Sequence, residues 1–469
     1  MTSYSESTEG TPGKTILSQV AWEPSIVWTP NAAESSSRSC SSAFSVRRKH
    51  LDLFRHRQSA ARTIGTALIP IPFFGVSSLR LFLVCGVLRQ GRGWAAIAAL
   101  ASAGWLAGCD DPSPIGRVRV DTLSGGRVVI SSPDRPSDDE GAAPTLAEEL
   151  RIGSAEGFCD AFGNVFSLAV DDAGRTYVAD LSANAIAVFD AHGDCLHTFG
   201  RAGEGPGEFS MLAGIARQAP GLVWAMDAIQ YRLTVFDAAG SVQGTHSLPP
   251  SGSASLPWRL WVDTNHALHL WDPGPRNIVK YRPSSGLVPV DTFPVPWLEP
   301  DMYEREIEWA GGSMMTRSPI PYTPEIAWTV DSDGEVWLAN QSEFDLHETT
   351  YDGDTLRTVR LLRSAPNLAG GERDSLAAAV GIAAARLPER KTVLKAISVA
   401  SDGWIWVDRG ERPITVWDVF DERGHYMGPV SPPVPVAAEP FPVFHGEAIV
   451  AVTEDELGVQ YVVWLRVIR

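Results

Sequence analysis

The sequence lacks the short motifs that identify many enzymes and metal proteins. No two of its five cysteines are separated by two residues, so we expect no zinc ribbon or redox dithiol. It has no Gly-x-Ser-x-Gly element of the kind that carries a nucleophilic serine. The eight histidines after residue 109 are scattered and form no triad pattern. We therefore predict no catalytic residues and no metal ligands.

Positive charge is scarce in most of the chain. The 469 residues carry a net charge of −17. Residues 1–108 hold 11 Lys+Arg and 5 Asp+Glu, whereas residues 109–469 hold 28 and 51. A nucleic-acid-binding domain needs a basic face for the phosphate backbone. We therefore expect no nucleic-acid partner, and the acidic surface to serve solubility.

Residues 89–109 read RQGRGWAAIAALASAGWLAGC. Arg89 and Arg92 precede an uncharged apolar run that ends in small residues, which is the order of a secretory signal. The final LAGC resembles a bacterial lipobox. We predict a lipoprotein signal peptide at 89–108 and lipidation of Cys109, which would anchor the protein to membrane lipid in the cell envelope, on its periplasmic or extracytoplasmic side. The alternative, a transmembrane helix, would need about 20 apolar residues.

The 88 residues ahead of this segment do not fit a signal, which normally begins a chain. They are rich in Ser and Arg, and no Met occurs between Met1 and Met211. We interpret residues 1–88 as a non-native or disordered extension, and we predict that translation starts near Val84 or Val87. A genuine cytoplasmic tail on a membrane span is the alternative. Residues 109–147 are predicted as an acidic linker with a β-hairpin at 117–130.

A repeat occupies the rest of the chain. Each copy has an Asp- and Gly-containing turn, a second strand closed by a polar residue, and a third strand rich in Val, Ile, Phe or Tyr. The closing residues are spaced by 47, 45, 68 and 68 positions. They are Asp180, Asp227, Asp272, Asn340 and Asp408. A period in the forties with four short strands is typical of a β-propeller blade.

Ring closure follows from counting strands. A sixth, weaker copy lies at residues 441–467 and has three strands rather than four. Residues 148–153 lie just before the first copy and provide a strand that would complete it and leave no open edge there. We predict that residues 148–469 form an all-β, six-bladed propeller. It would have four-stranded blades, a three-plus-one closure and a short inserted helix.

Residues 200–209 read GRAGEGPGEF and are followed by AGIA at 213–216. These residues resemble the inter-blade signature of NHL-repeat propellers, and the chain is also similar to bacterial six-bladed propeller lipoproteins with a GEGPGEF segment. Met211 and Leu212 depart from the signature, which usually has a proline there. The glycines could also suggest a phosphate loop, but the segment leads into a strand and not a helix. We therefore expect no nucleotide there.

Some propellers that resemble NHL proteins are hydrolases or lyases with calcium or zinc at the channel mouth. The resemblance therefore implies an alternative function, a metal-dependent lyase or lactonase-type hydrolase at the central channel. Four aspartates close second strands on one face, Asp180, Asp227, Asp272 and Asp408. Such carboxylates typically cap the following turn, and we expect that role. We predict a binding or scaffold protein without a cofactor, and a monomer.

Two long connections break the repeat. Insertion one, residues 294–325, is rich in aromatic residues, and insertion two, residues 363–391, contains a predicted helix from Arg373 to Leu387 that Pro388 stops. Connections between blades all emerge on one face, so the two insertions should lie side by side over the channel mouth. We predict that a protein, peptide or glycan ligand binds there. The predicted binding residues are Tyr303, Trp309, Arg317 and Arg373. The alternative is that the two insertions are family-specific additions with no role in binding.

Two cysteines fall within the first blade. Cys159 lies in the connection that enters it, and Cys195 begins its outer strand. A strand is about 17–20 Å long, and a disulfide needs Cα atoms within about 7 Å. We therefore predict that both thiols are unpaired.

Overall fold

The computed structural model describes residues 117–136, 142–249, 258–283, 287–309, 312–411 and 414–469, with backbone only for 305–316. The predictions for residues 1–116, including the signal peptide, the start site and lipidation of Cys109, lie outside these ranges. No helix within the described ranges is long and apolar enough to cross a membrane.

Three strands precede the first blade, and two of them form the predicted hairpin. They are β1 (Arg119–Thr122), β2 (Val128–Pro133) and β3 (Thr145–Ile152). Blade one comprises β4 (Val165–Val170), β5 (Thr176–Asp180), β6 (Ala185–Phe189) and β7 (Cys195–Phe199). Blade two comprises β8 (Leu212–Gln218), β9 (Leu222–Asp227), β10 (Arg232–Asp237) and β11 (Val242–Ser247).

The next two blades are separated by a two-stranded hairpin. Blade three comprises β12 (Leu260–Val262), β13 (Leu268–Asp272), β14 (Asn277–Pro283) and β15 (Leu287–Pro294). The hairpin comprises β16 (Met302–Trp309) and β17 (Gly312–Pro319). Blade four comprises β18 (Ile326–Val330), β19 (Val336–Asn340), β20 (Asp345–Thr349) and β21 (Thr355–Leu362).

Helix α1 (Gly370–Val380) separates blade four from the last two blades. Blade five comprises β22 (Ala396–Val399), β23 (Ile405–Asp408), β24 (Trp417–Phe420) and β25 (Tyr426–Val430). Blade six comprises β26 (Val443–His445), β27 (Ala448–Glu454), β28 (Gln460–Ile468) and the early strand β3. The all-β, six-bladed propeller and its three-plus-one closure are thus confirmed.

The closing strand ties the start of the propeller to its end. β3 pairs antiparallel with β28, from Ile152 opposite Val462 to Thr145 opposite Ile468. Ile152 is buried with Val165 of blade one and Val450 of blade six, so one side chain joins the two blades. Burial of apolar surface between stacked blades supplies the core, because a single blade cannot cover both of its faces.

The early hairpin extends a distant blade. β2 pairs in parallel with β21, the outer strand of blade four, from Val128 opposite Arg357 to Pro133 opposite Leu362. Blade four is therefore part of a six-stranded sheet. Ile130 is buried in the same cluster as Leu361. The sequence predicts the hairpin but not its place on blade four.

Glycines let the outer strand of one blade meet a turn of the next. Gly193 and Gly240 have φ of 84° and 83°, in turns between the third and fourth strands of their blades. A Cβ on Gly240 would lie 2.6 Å from Cβ of Phe199 in the outer strand of blade one. A Cβ on Gly193 would lie 2.9 Å from Cδ1 of Leu150 in β3. These turns accept glycine because both the φ and the contact exclude a side chain.

The same geometry corrects the prediction for the cysteines. Cys159 and Cys195 form a disulfide, with their Cα atoms 6.3 Å apart, so the prediction of two unpaired thiols is wrong. Cys195 does begin the outer strand, as predicted. A strand length measured along a flat blade overstates the distance between the two cysteines. Sheet twist brings the start of the outer strand towards blade six. Residues 153–164, which include Cys159, leave blade six and lead to β4.

The inserted helix is shorter than the sequence predicts. Gly381 adopts the left-handed conformation with φ 77°, and its N–H donates to the carbonyl of Ala377 at 2.9 Å. This αL cap ends the helix. A three-residue 3₁₀ turn, Ala384–Arg386, then precedes Pro388.

Candidate functional site

Insertion one places its predicted binding residues along the hairpin of β16 and β17. Tyr303 lies opposite Ser318, Glu304 opposite Arg317, and Trp309 opposite Gly312 at the turn. Arg317 is exposed and Tyr303 is partly buried. The side chain of Trp309 lies outside the described residues.

Insertion two contacts insertion one, as the repeat predicts. Tyr303 packs against a small core formed by Ile320, Leu368, Ala377 and Leu387. A backbone contact reinforces this packing, since Nη2 of Arg386 donates to the carbonyl of Met302 at 2.8 Å. Side chains from both insertions therefore form one unit with its own core.

Arg373 belongs to the structure of insertion two. Its Nη2 donates to the carbonyl of Pro388 at 2.6 Å, and its Nε is buried with no hydrogen-bond partner among the described residues. Tyr303 is likewise engaged in the shared core. Of the predicted binding residues whose side chains are described, only Arg317 is exposed. The structure brings Tyr303 to insertion two, and the binding role of the four residues stays a prediction.

A cavity of about 280 Å³ occupies the centre of the ring, between the inner strands of all six blades. Its lining includes one or more residues from each, such as Ser167, Ile215, Trp261, Thr329, Ser398 and Phe441. Arg259 and Phe441 precede the inner strands of their blades. They therefore lie at the end of the channel that the connections between blades reach, which is also the face of the two insertions. We call this the insertion face.

Arg259 is the charged residue at that end of the cavity. Its guanidinium carbon lies 5.0 Å from the ring centre of Trp261, 4.8 Å from that of Trp328 and 4.1 Å from that of Phe441. Its Nη1 donates to the carbonyl of Trp328 at 3.0 Å. Burial lowers the pKa of Arg259 to about 10, and the negative charge of Glu439 only partly opposes that shift. We call these four residues, Arg259 with its three rings, the Arg259 site.

The Arg259 site was not among the residues predicted from the sequence. A local signal existed, because the segment Trp258-Arg259-Leu260-Trp261 places an arginine between aromatic residues at the start of an inner strand. Its other rings come from blades four and six, and no pattern within one repeat reveals them.

The strand-closing aspartates cap turns, as predicted. Oδ1 of Asp180 accepts from the N–H of Ser182 at 2.8 Å, and Oδ1 of Asp227 accepts from that of Ile229 at 3.1 Å. Both also bind the connection that enters their own blade, because Oδ2 of Asp180 accepts from Gly163 N–H and Oδ2 of Asp227 from Ser210 N–H, each at 2.8 Å. Their oxygens are thus committed to backbone donors. Among the described residues, no group of three or more His, Cys, Asp or Glu is placed to hold a metal ion.

The glycine-rich segment at 200–209 is a structural junction. Arg232 donates to the carbonyls of Glu204 and Gly205 at 2.9 Å, and to that of Glu208 at 2.6 Å. The carboxylate of Glu208 accepts the N–H of Gly205 at 2.8 Å. A phosphate loop points its N–H groups at the ligand. Here several carbonyls face a guanidinium and a carboxylate takes one of the N–H groups, which suits a connection between blades.

Comparisons with known proteins agree with this architecture. Residues 161–260 match the sequence model of a family described as "6-bladed beta-propeller". No curated protein matches the sequence.

Solved structures with a similar trace are distant in sequence. Virginiamycin B lyase from Staphylococcus aureus is 12% identical with a TM-score of 0.40, over 69% of this chain and 100% of that one. A putative exported protein from Bacteroides fragilis is 10% identical with a TM-score of 0.41, over 73% and 100%. The PQQ-bound aldose sugar dehydrogenase from Streptomyces coelicolor is 12% identical with a TM-score of 0.38, over 71% and 100%.

Similarity this low carries no functional argument. The fold rests on the family match in blades one and two together with the closed ring of blades. Residues 145–469 of this chain are accordingly a six-bladed β-propeller.

Proposed function

We propose that the protein is a membrane-anchored binding propeller outside the cytoplasm, and that its protein, peptide or glycan ligand engages the insertion face. The observation that carries this proposal is the central cavity of about 280 Å³, which reaches Arg259 and Phe441 on that face. Binding sites are usually concave and largely apolar, with a few placed polar groups. The cavity is concave and places Arg259 beside apolar and hydroxyl-bearing side chains, and the joined insertions on the same face provide further surface for a larger ligand.

The disulfide between Cys159 and Cys195 supports a location outside the cytoplasm. Disulfides persist in oxidising compartments such as the bacterial periplasm and are rare in the reducing cytosol. This location is the one that a lipid anchor at Cys109 implies. Labelling cells with a radioactive fatty acid tests the anchor. Wild type and Asp111→Ala should be labelled and sediment with membranes, whereas Cys109→Ala should not. Equal labelling of the two variants would contradict it.

The binding function is tested by filling the cavity. Ser398 lines it from β22, so Ser398→Trp should block the centre of the ring. Ser247 is exposed on the outer strand β11, so Ser247→Trp is the matched control. The full-length protein and both variants are applied to arrays of peptides and oligosaccharides. We expect wild type and Ser247→Trp to retain the same ligands and Ser398→Trp to lose them. Equal retention by all three would contradict a channel site.

The contribution of the insertions is tested separately. Deletion of residues 305–318 removes most of the β16–β17 hairpin, which contacts no blade strand in the sheet pairing. We expect the deleted protein to remain folded and to lose its ligand. Unchanged binding would confine the site to the channel. Turnover of a retained ligand would favour the lyase or hydrolase alternative.

A further inference from the structure

The Arg259 site holds a positive charge among three aromatic rings, on a side chain that is partly buried. Three ring faces surround the guanidinium, each within the distance of about 6 Å at which a cation and a ring attract. A guanidinium has five N–H donors. Among the described residues its side chain makes one hydrogen bond, to the carbonyl of Trp328. Its remaining N–H groups make no hydrogen bond within the described part of the chain and are left for a ligand.

Other arginines in the propeller show what this site lacks. Arg363 and Arg409 both donate to the buried carboxylate of Asp418, and Arg175 donates to the buried carboxylate of Asp171. No salt bridge is found for Arg259 within the described residues. The negative charge of Glu439 stabilises the guanidinium of Arg259, but by less than burial destabilises it. The guanidinium therefore borders a cavity with much of its charge uncompensated.

An anion that entered the cavity would supply the missing partner. A carboxylate and a guanidinium form two parallel N–H···O bonds, and these are stronger away from water. The free energy that the protein spends in burying Arg259 would then be recovered in the complex. A neutral ligand would leave the same donors unpaired.

The rest of the cavity indicates what the carboxylate is attached to. Several valines line it below the Arg259 site, namely Val170, Val262, Val330 and Val399. The hydroxyl of Ser167 is already bonded to the backbone of Ile215. Thr329 and Ser398 place hydroxyls beside these valines, so the wall has polar and apolar parts. An aliphatic side chain next to a carboxylate can pack against the valines, whereas an acidic sugar has no aliphatic group to place there.

Resting on the proposed binding function, we propose that the channel receives the C-terminus of a peptide. Arg259 binds the terminal carboxylate, and the valine-lined part of the cavity holds an apolar last side chain. A cavity near 280 Å³ is at the small end for ligand pockets, so it takes a terminal group and leaves the rest of the peptide on the insertion face.

The test compares acetyl-Ala-Ala-Leu as the free acid and as the C-terminal amide, by calorimetry on the full-length protein. We expect the acid to bind at least about tenfold more tightly, because the amide cannot form the charged pair. Arg259→Gln should abolish that preference, and Arg259→Lys should keep only part of it. Arg276→Gln is the control, since Arg276 is also partly buried and lies over the ring of Trp297 but does not line the cavity.

Each outcome decides the proposal. Equal binding of acid and amide by wild type would overturn it, as would a preference that survives in a folded Arg259→Gln. Preference for an oligogalacturonate over every peptide would overturn the peptide assignment in favour of an acidic glycan. If no carboxylate probe binds while Ser398→Trp still loses array ligands, this inference fails and the binding function stands.

Discussion

The Nε2 atom of His269 lies 3.1 Å from Oδ2 of Asp263, six residues earlier in blade three. The carboxylate can only accept, so Nε2 donates to it. The other ring nitrogen lies 2.6 Å from the hydroxyl of Tyr351 in blade four. Lys280 adds an ion pair, with Nζ 3.2 Å from Oδ2 of Asp263. One buried carboxylate thus organises the contact between two blades.

Other blades use the same six-residue spacing with different side chains. The hydroxyl of Tyr177 donates to Asp171 at 3.2 Å in blade one, and Nε1 of Trp337 donates to Asp331 at 2.9 Å in blade four. In each case the aspartate begins the turn between the first two strands, and the aromatic donor lies on the second strand. His269 is therefore the blade-three form of a repeated structural bond.

Removal of this carboxylate should destabilise the propeller. Asp263→Ala would leave a buried imidazole, a lysine and a backbone N–H without their acceptor. We expect a loss of about 3 kcal/mol in the free energy of unfolding. Asp352→Ala, at an exposed position in a blade-four turn, should change it by less than about 0.5 kcal/mol. Urea denaturation measures both, and equal midpoints would contradict the role of Asp263.

A second buried carboxylate makes the stability depend on pH. Burial alone would raise the pKa of Asp418, but hydrogen bonds from Arg409 and Arg363 outweigh it and hold the pKa below its ordinary value. Since the unfolded chain then binds the proton more readily, the stabilisation is full above about pH 4 and is lost as the pH falls through the native pKa. We expect Asp418→Asn to flatten the decline in unfolding free energy between about pH 5 and pH 3. The control Asp352→Asn should keep the wild-type slope.

The contact between Gly240 and Phe199 predicts different costs for two similar glycines. Gly240 and Gly353 lie in equivalent turns with φ of 83° and 88°, but a Cβ on Gly353 would meet nothing within 4 Å. Gly353→Ala should therefore cost only the backbone strain, about 1 kcal/mol. Gly240→Ala should cost about 1–3 kcal/mol more, because the methyl group collides with Phe199. Thermal unfolding measures the difference, and equal losses would show that the blades do not press together there.

The disulfide should contribute to stability. It closes a loop with a sequence separation of 36 residues. A loop of that length predicts about 3–4 kcal/mol through restriction of the unfolded chain. Cys159→Ser/Cys195→Ser should lower the free energy of unfolding by that order, and reduction of wild type should have the same effect. Peptide mapping without reductant should recover the two cysteines in one cross-linked fragment. Free thiols at both positions would contradict the bond.

Ring closure should depend on Ile152. Ile152→Ala opens a cavity between blades six and one, and truncations of this kind cost about 3 kcal/mol. Ile468 lies at the end of the partner strand and is 49% exposed, so Ile468→Ala is the matched control. We expect guanidinium unfolding to separate the two variants clearly. Similar midpoints would indicate that the closing strand adds little to the ring.

Local patterns predicted most of the fold. Asp180 and Asp227 mark blade ends because turn capping depends on residues a few positions apart. The closing strand followed from a count of strands. The Arg259 site could not be predicted in this way, because Trp328 and Phe441 are brought to it only by the closed ring. The cysteine bond was missed because it depends on sheet twist, which no residue pattern encodes directly.

The parallel pairing of β2 with β21 sets the order in which the propeller bears mechanical load. Tension applied to the chain ahead of residue 117 reaches β1 and β2 before it reaches β3. The early hairpin would have to leave blade four before any pull could act on the strand that closes the ring. A tether on that side therefore loads an accessory pair of strands first, and the ring with its central cavity is shielded from the strain.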